Sequence, residues 1–243
     1  MGAENVKPYH DEEGGKKEQV AKMFNNIAAK YDLLNHTLSM GIDILWRKKA
    51  VRILKKQQPK KILDIATGTA DFAIENLGSG AHEVVGVDIS AGMLAVGQQK
   101  IEKKQLDKKI TLQLADSENL PFEDNTFDAI TVGFGVRNFE HLEVGLAEML
   151  RVLKPGGKCL VLEFSKPKRF PVKNIYNIYF KNILPGIGKY ISKDKAAYTY
   201  LPESVNAFPD GKNFTDILDQ LGYKNTNIIP LTFGIASIYE GSK

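Results

Sequence analysis

Acidic side chains stand near the ends of three successive apolar runs in the first half of the chain. Asp64 lies in the first run, Asp88 ends the second, and Asp116 follows the third with Ser117 beside it. If these runs are parallel strands, their carboxyl ends meet at one edge of a sheet, where open α/β folds bind their ligands. Each acid alone could be a strand-end cap or a turn former. Three of them in register, beside a turn of small residues, favour a ligand-binding site.

The turn after the first run reads Ala-Thr-Gly-Thr-Ala-Asp over residues 66–71. A nicotinamide dinucleotide needs a glycine-rich G-x-G-x-x-G turn that seats its pyrophosphate on a helix N-terminus. Here the turn has a single glycine, Gly68, and Asp71 would repel a pyrophosphate. S-adenosylmethionine carries no phosphate, and its sulfonium and ammonium groups suit acidic surroundings. We therefore expect S-adenosylmethionine as the cofactor, with the backbone at Gly68 close to it.

The acids of the next two runs fit the same cofactor. Asp88 lies 20 residues after Gly68, the spacing at which dinucleotide folds place an acid on a ribose diol. Asp116 can accept a hydrogen bond from an adenine amino group, and Ser117 lies next to it. These residues are therefore predicted to bind the ribose and the adenine.

Short apolar runs alternate with helical patterns from Lys60 onwards. Five runs predict strands, at Lys61–Ala66, Glu83–Asp88, Ile110–Ala115, Phe127–Gly133 and Lys158–Glu163. Helices are predicted between them, at Asp71–Leu77, Ser90–Lys104 and Glu143–Leu153. Strands that are almost wholly apolar are typical of a parallel sheet covered on both faces. Right-handed crossovers then give a doubly wound, mostly parallel α/β fold.

The flanking segments predict further helices and a terminal strand pair. Residues 1–17 predict a disordered tail, residues 18–59 a helical cap, and residues 60–243 the cofactor-binding domain with a helical insertion at about 168–210. Within the cap we expect two helices, at about 20–31 and 44–56, joined by a loop through Asn35 and Gly41. After the insertion we expect a helix and two strand-like runs, at Lys212–Leu221, Tyr223–Pro230 and Leu231–Glu240.

Composition excludes several classes of protein. The 33 basic and 29 acidic residues nearly balance, so no nucleic-acid partner is expected. No apolar run approaches the roughly 20 residues that span a bilayer, and the polar N-terminus resembles neither a signal nor a transit peptide. The single cysteine, Cys159, and four scattered histidines predict no metal site. We expect a cytoplasmic protein, and the sequence leaves both a monomer and a homo-oligomer open.

One segment of the insertion combines an apolar stripe with excess positive charge. Between Lys166 and Lys195 there are eight basic residues and one acid, Asp194. The stripe has helical spacing and consists of Val172, Ile175, Tyr176, Tyr179, Phe180, Ile183 and Leu184. Such a stripe is usually part of a core. Its flanking lysines make contact with a prenyl chain, or a weak association of the segment Phe170–Leu184 with an anionic membrane surface, the competing interpretation.

Two segments give the chain a family resemblance. Residues 31–46 read YDLLNHTLSMGIDILW, and residues 151–165 read RVLKPGGKCLVLEFS. Together they resemble the two signatures of the menaquinone/ubiquinone biosynthesis C-methyltransferase family, and the resemblance runs from about Val20 to the C-terminus. The turn KPGG alone is common among methyltransferases, whereas its combination with Glu163-x-Ser165 and the first segment is specific. The sequence departs from the family at Asp43, where a histidine is usual.

The resemblance implies a fold, a reaction and an acceptor. The fold would be the seven-stranded sheet of class I S-adenosylmethionine-dependent methyltransferases, with the last strand antiparallel. The reaction would be C-methylation of a prenylated quinol, most simply demethylmenaquinol to menaquinol. A polyprenyl-benzoquinol of ubiquinone biosynthesis and another small molecule remain alternatives. A non-catalytic dinucleotide-binding module is disfavoured by the single-glycine turn.

The resemblance also assigns roles to individual residues. It implies cofactor contacts at Thr67, Asp88, Asp116 and Ser117, and a catalytic loop over residues 133–138 that contains Arg137 and Asn138. We expect the Arg137 guanidinium to stabilise the phenolate form of the acceptor, while water, Asp43 and His141 all remain candidates for the proton acceptor. Three further residues are candidates for the acceptor pocket: Tyr31, Asn35 and Trp46. Trp46 could equally pin the N-terminal helices to the core.

Overall fold

A seven-stranded sheet forms the centre of the computed structural model, which describes residues 6–10, 12–178 and 196–243. The strands are β1 (Lys61–Ile65), β2 (Glu83–Asp88), β3 (Ile110–Leu114), β4 (Phe127–Gly133), β5 (Leu153–Phe164), β6 (Lys224–Leu231) and β7 (Ala236–Ser242). Their order across the sheet is β3-β2-β1-β4-β5-β7-β6. The first five strands are parallel, and β7 is antiparallel to both β5 and β6. The predicted doubly wound fold is confirmed.

The central strands are apolar because both of their faces are covered. Ile62 and Leu160 point to one face, where they pack with the helices on that side, and Leu63 and Val161 point to the other. All four side chains are fully buried. The continuous apolar runs of the sequence therefore reflect two cores, one on each side of the same sheet.

Nine α-helices surround the sheet within the described ranges. They are α1 (Lys16–Ile27), α2 (Tyr31–Leu38), α3 (Ile42–Lys55), α4 (Asp71–Asn76), α5 (Ala91–Lys103), α6 (Leu142–Val152), α7 (Val172–Ile178), α8 (Ala196–Ala207) and α9 (Lys212–Gln220). The helices α4, α5 and α6 agree with the predicted crossovers to within one residue at each end. The strand β5 begins earlier than predicted, at Leu153, because Leu153 already pairs with Phe127 of β4. The KPGG turn then interrupts the register, and regular pairing resumes where Lys158 lies opposite Ala129.

The N-terminal region differs from its prediction in two places. The predicted tail ends too late, because α1 begins at Lys16 and the Lys16 side chain is completely buried. The loop predicted through Asn35 is instead the helix α2, which ends at Leu38. Gly41 then adopts a φ of 74° at the start of α3, a left-handed conformation that glycine adopts without strain. The turn is therefore shorter than the sequence pattern suggested.

The insertion after β5 contains the helices α7 and α8 among the described residues. Of the predicted apolar stripe, Val172, Ile175 and Tyr176 lie on α7, whereas residues 179–184 lie outside the described ranges. Lys181, Lys189, Lys193 and Lys195 also lie outside them. The strand pair at the C-terminus is present, and a short 3-10 turn over Thr232–Gly234 connects β6 to β7. This turn lies beside the carboxyl end of β5, since Ala236 pairs with Phe164.

Candidate active site

The turn after β1 is held by a buried carboxylate. Asp64 is fully buried, and its two oxygens accept hydrogen bonds from the hydroxyls of Thr67 and Thr131, each at 2.6 Å. Burial raises the pKa of Asp64 to about 7 in spite of these two donors. Ala66, Gly68 and Ala70 all have positive φ, which folds the backbone back towards the sheet edge. Thr67 is thus fixed by Asp64, and the backbone at Gly68 faces the site.

Asp88 ends β2 on the other side of this turn. Its Oδ2 accepts a hydrogen bond from the Gly68 N–H and its Oδ1 accepts one from the Ser90 N–H, both at 2.8 Å. Burial raises the pKa of Asp88, and the backbone N–H donors offset only part of that effect. Each carboxylate oxygen retains a lone pair for a further donor. Two neighbouring hydroxyls, such as those of a ribose, match this arrangement.

A cavity of about 640 Å³, including the part open to solvent, adjoins Asp88. Its wall contains Gly68, Asp88, Asp116, Ser117 and Asn138, five of the residues singled out from the sequence. Four carboxylates line it against one ammonium group; they belong to Asp88, Asp116, Glu118 and Glu140, and the ammonium to Lys17. This acidic lining fits the cationic sulfonium and ammonium groups of S-adenosylmethionine and would repel a pyrophosphate.

A second and larger cavity adjoins the first along a shared wall. It encloses about 1980 Å³, including space open to solvent, and extends beneath α2, α3, α7 and α8. Six residues line both cavities: Phe24, Tyr31, Ala66, Gly68, Gly133 and Phe134. The larger cavity has mainly apolar walls, including the rings of Trp46, Phe72, Phe134 and Phe164. A ligand in the small cavity would therefore meet an apolar ligand in the large one.

The three predicted acceptor residues all line the large cavity. Tyr31 and Asn35 reach it from α2, and Tyr31 also borders the small cavity. Burial raises the pKa of the Tyr31 hydroxyl, so it stays protonated. Trp46 is 6% exposed and donates from Nε1 to the Thr232 hydroxyl at 2.8 Å. Trp46 therefore both packs against the core and forms part of the cavity wall.

Arg137 lies in a short 3-10 turn, Val136–Asn138, that follows β4. Its Nη1 donates to Glu163 Oε1 at 2.9 Å and to the Phe134 carbonyl, and its guanidinium stacks 5.7 Å from the Phe164 ring. Glu163 is fully buried, burial raises its pKa, and the guanidinium offsets part of this shift. Among the described residues Glu163 Oε2 has no hydrogen-bond partner. The ion pair is therefore buried at the wall of the large cavity and does not lie on the protein surface.

Asn138 faces the other cavity from the same turn. Its side chain lines the cofactor cavity, and its Oδ1 accepts a hydrogen bond from the Tyr200 hydroxyl at 3.1 Å. Because the Asn138 oxygen accepts this hydrogen bond, the contact fixes the orientation of the side-chain amide and hence of its N–H₂ group. Two adjacent residues thus face the two adjoining cavities from a single turn.

Asp43 takes part in a polar cluster on the wall of the large cavity. It contacts the Ser39 hydroxyl, His36 Nδ1 at 3.0 Å and Arg47 Nη2 at 2.6 Å. Although burial opposes its ionisation, the Ser39 hydroxyl and the Arg47 guanidinium hold the pKa of Asp43 below its ordinary value. His36 therefore supplies an imidazole beside the position where the family's usual histidine is missing. Its Nε2 lies 3.4 Å from Asp71 Oδ2.

The remaining candidate proton acceptor lies elsewhere. His141 has a side chain that is 60% exposed, pairs with Glu118 at 3.0 Å and lines neither cavity. His141 is therefore an exposed histidine beside the site and not part of the wall of either cavity. Asp43 lines the large cavity, but its lowered pKa makes it a weak base.

Four residues near the site were missed in the sequence. Glu163 and Tyr200 contact the Arg137 turn, while Lys16 and Lys17 belong to the segment predicted as a tail. Lys17 Nζ contacts Asp116 Oδ2 at 2.5 Å and Glu118 Oε2 at 3.4 Å. Only Glu163 had a local signal, as an acid inside an apolar strand. The others are brought to the site by tertiary packing.

Several solved structures with the same architecture are methyltransferases. A SAM-dependent methyltransferase from Thermotoga maritima matches with a TM-score of 0.65 and 18% identity, covering 91% of this chain and 99% of that one. Haemonchus contortus phosphoethanolamine N-methyltransferase 2, solved with S-adenosyl-L-methionine, matches with a TM-score of 0.54 and 16% identity, over 76% of this chain and 48% of that one. The fold is that of the class I S-adenosylmethionine-dependent methyltransferases.

Sequence comparison defines the family within this class. The chain belongs to the ubiE/COQ5 methyltransferase family, whose model matches residues 12–243. The demethylmenaquinone methyltransferase of Bacteroides fragilis is 48% identical over 245 residues, covering 99% of this chain and 98% of the relative. The ubiquinone/menaquinone biosynthesis C-methyltransferase UbiE of Geobacter sulfurreducens is 44% identical, covering 94% and 90%. The predictions of family, enzyme class and cofactor are confirmed: the chain is an S-adenosylmethionine-dependent methyltransferase.

Proposed function

We propose that the enzyme methylates a ring carbon of a prenylated quinol, with demethylmenaquinol as the acceptor and menaquinol as the product. The junction of an acid-lined cofactor cavity with a large apolar cavity is the observation that carries this proposal. An aromatic ring with a prenyl chain requires apolar walls, and the buried Arg137 offers a charge to a ring oxygen. Relatives named demethylmenaquinone methyltransferase support the same acceptor.

The residues of the small cavity would hold the cofactor. Asp88 would accept hydrogen bonds from the ribose hydroxyls, and Asp116 with Ser117 would contact the adenine. The backbone at Gly68 lets the ligand approach closely, since its φ of 55° suits glycine. When bound, S-adenosylmethionine supplies an electrophilic methyl group. The acids of the wall would hold it by its positive charge.

The Arg137 turn would make the acceptor reactive. A ring carbon attacks a methyl group efficiently only when an ortho oxygen is ionised, and a phenol ordinarily titrates near pH 10. A guanidinium in a water-poor pocket stabilises the phenolate. A guanidinium has no free lone pair, so Arg137 cannot itself take the phenolic proton; that proton would leave to water or Asp43. Attack by the ring carbon would form the new carbon–carbon bond as the methyl group leaves the sulfonium sulfur. The ring would then lose its hydrogen as a second proton to water or Asp43, and the product phenolate would take one proton back.

Radiolabelled methyl transfer tests the acceptor. The purified enzyme is given labelled S-adenosylmethionine with a demethylated naphthoquinol or a polyprenyl-benzoquinol, each reduced and oxidised and each with short and long prenyl chains. We expect label in the reduced naphthoquinol and none in the oxidised form, because a quinone lacks the ionisable hydroxyl. Label found only in the benzoquinol would mean that the acceptor is the benzoquinol of ubiquinone biosynthesis and not the naphthoquinol. No label in any quinol would overturn the proposed function.

We further propose that the mouth of the large cavity rests on an anionic membrane surface. Met40 and Ile175 line the cavity yet are 83% and 64% exposed, so they lie at its mouth. Phe233 is 83% exposed between Thr232 and Ile235, which both line the cavity. These side chains come from three separate elements. A prenyl chain longer than the cavity would leave past them into a bilayer.

Basic residues beside this rim match an anionic surface. Lys168, Arg169 and Lys173 flank the exposed Phe170 in the sequence of the insertion. Each cation contributes about 1 kcal/mol at an anionic bilayer, and salt screens that contribution. None of the helices in the described ranges is long and apolar enough to cross a membrane. An association through a few apolar side chains and neighbouring cations would be peripheral, weak and reversible.

Vesicle sedimentation tests this docking. We expect binding to vesicles that contain anionic lipid at low salt, and release as salt rises. Phe233→Ser should weaken binding, whereas Val144→Ser, on α6 and 48% exposed, should not, because Val144 lines neither cavity. Binding that is absent at low salt, or indifferent to salt, or equally weakened by both variants would refute the docking. Methylation of a short-chain quinol in solution is a separate readout of the reaction itself.

A further inference from the structure

Lys16 is a completely buried lysine at the start of α1. Its Nζ donates to the main-chain carbonyls of Arg137 at 3.0 Å and Phe139 at 2.9 Å. Its backbone N–H donates to Glu140 Oε1 at 2.7 Å. Lysine is rarely buried in this way because its charge must leave water, so such a residue has a specific partner. Here the partner is the turn that carries Arg137 and Asn138.

The two carbonyls that Lys16 holds lie on either side of Asn138. From this turn the Arg137 side chain faces the large cavity and the Asn138 side chain faces the small one. A shift of the main chain at these carbonyls would displace both side chains together. Because methyl transfer needs its groups aligned closely, a displacement of about 1 Å can lower the rate by about a hundredfold.

The next residue of α1 touches the cofactor cavity. Lys17 contacts Asp116 and Glu118 at that cavity, and Glu118 Oε1 also accepts the N–H groups of Glu140 and His141 at 2.9 Å each. The first turn of α1 therefore joins the proposed adenine end of the site to the turn of Arg137. In the sequence, both of these regions lie about half the length of the chain away from α1.

We propose that Lys16 is a positioning residue for methyl transfer, which acts by holding the Arg137 turn with its ammonium group. The inference rests on the proposed role of Arg137 in the reaction. Lys16 touches neither cavity, so its loss should leave the affinity for S-adenosylmethionine almost unchanged and lower the rate of the chemical step.

Steady-state kinetics of matched lysine variants test this. Lys16→Met keeps an unbranched side chain that is one atom shorter and removes its donors. Lys22→Met removes an exposed lysine of the same helix that pairs with Glu12. We expect kcat to fall about 10- to 100-fold in Lys16→Met, with KM for S-adenosylmethionine within about 3-fold of wild type. Lys16→Arg, which retains donors, should recover much of kcat. Lys22→Met should match wild type.

A double-mutant cycle and amide exchange separate positioning from general destabilisation. If Lys16 acts through Arg137, Lys16→Met should lower kcat much less in the Arg137→Met background than in the wild type. The amides of Asn138 and Phe139 should exchange faster in Lys16→Met and not in Lys22→Met. Should Lys16→Met fail to fold, Lys16→Gln, which is uncharged but keeps an N–H₂ donor group, takes its place. Near-normal kcat, or an equal loss in both backgrounds, overturns the proposal.

The failure of the proposed function has a different signature. A wild-type enzyme that methylates no quinol would overturn the acceptor assignment, while amide exchange would still decide whether Lys16 holds the turn. An active wild type with an unaffected Lys16→Met variant would overturn only the positioning role.

Discussion

Replacing Arg137 by methionine tests the centre of the proposed reaction. The variant keeps an unbranched apolar stem and loses the hydrogen bonds to Glu163 and to the Phe134 carbonyl. Burial already raises the pKa of Glu163, and Arg137 is the main opposing influence. Without Arg137 we expect Glu163 to take up a proton at neutral pH rather than remain a buried, unpaired carboxylate. The variant thus removes the positive charge of Arg137 and the negative charge of Glu163 together, and we expect it to keep the fold.

The size of the effect follows from the charge and its partner. A guanidinium about 4 Å from a phenolate oxygen contributes about 4 kcal/mol at an effective dielectric constant near 20. The Glu163 carboxylate, 2.9 Å from the same group, cancels part of this attraction. If about half remains, the phenolate loses about 2 kcal/mol of stabilisation in Arg137→Met. At neutral pH kcat should then fall about 30-fold, since each 1.36 kcal/mol changes a rate tenfold.

The assay is kcat for the reduced quinol between about pH 7 and pH 9.5. The deficit of Arg137→Met should shrink as pH approaches the phenol's own pKa near 10, because more phenolate forms without help. Arg137→Lys should retain part of the rate. Glu163→Gln should keep or raise the rate, because it leaves the cation in place and removes the carboxylate that cancels part of its attraction. The protonated Glu163 of Arg137→Met has a raised pKa, so that variant loses stability as pH rises through this pKa. The kinetics must therefore be measured well below its unfolding temperature.

Two outcomes would refute this reasoning. A near-normal kcat of Arg137→Met at neutral pH would show that the guanidinium does not stabilise the phenolate. A deficit that is constant across the pH range would show that the loss has another origin, such as misplacement of the acceptor. A variant with unchanged affinity for S-adenosylmethionine excludes damage to the cofactor site.

Three further predictions concern two buried acids near the carboxyl ends of β1 and β2, Asp64 and Asp88. Asp88→Ala should weaken S-adenosylmethionine binding at least about 30-fold in calorimetric titration, because two charge-assisted hydrogen bonds worth about 2–5 kcal/mol together are lost; near wild-type affinity would remove the ribose assignment. Because burial raises the pKa of Asp88, wild-type affinity should also fall as pH decreases through that pKa. The pKa of Asp64 rises from an ordinary 3.8 to about 7 on folding, so its ionisation destabilises the protein increasingly as pH rises towards 7. In urea unfolding, Asp64→Asn should therefore gain stability relative to wild type, by up to about 4 kcal/mol, between pH 4 and pH 8, and a pH-independent difference would contradict this.

Local patterns predicted the sheet well, and they placed acidic residues along its carboxyl edge. The strands β2 and β4 have their predicted bounds, because a strand covered on both faces must be apolar along its whole length. The acids at the strand ends were visible because a parallel sheet brings its carboxyl ends together wherever the strands lie in the sequence. The helix α2 was missed because Asn35 and Gly41 are turn formers, and packing of the N-terminal helices decides otherwise.

The sequence by itself thus determined the strands, the single-glycine turn and the acids at the strand ends, since each depends on neighbours a few positions away. Only the tertiary structure decided which groups complete the site. Lys16 lies 121 positions from Arg137, and Glu163 lies 26 positions from it, yet both hold the same turn. Such contacts leave no periodicity in the sequence, because they depend on how whole elements pack. From the sequence alone, a lysine in a polar N-terminal segment is therefore expected to be exposed to solvent. Lys16 is buried only because α1 packs against the turn after β4.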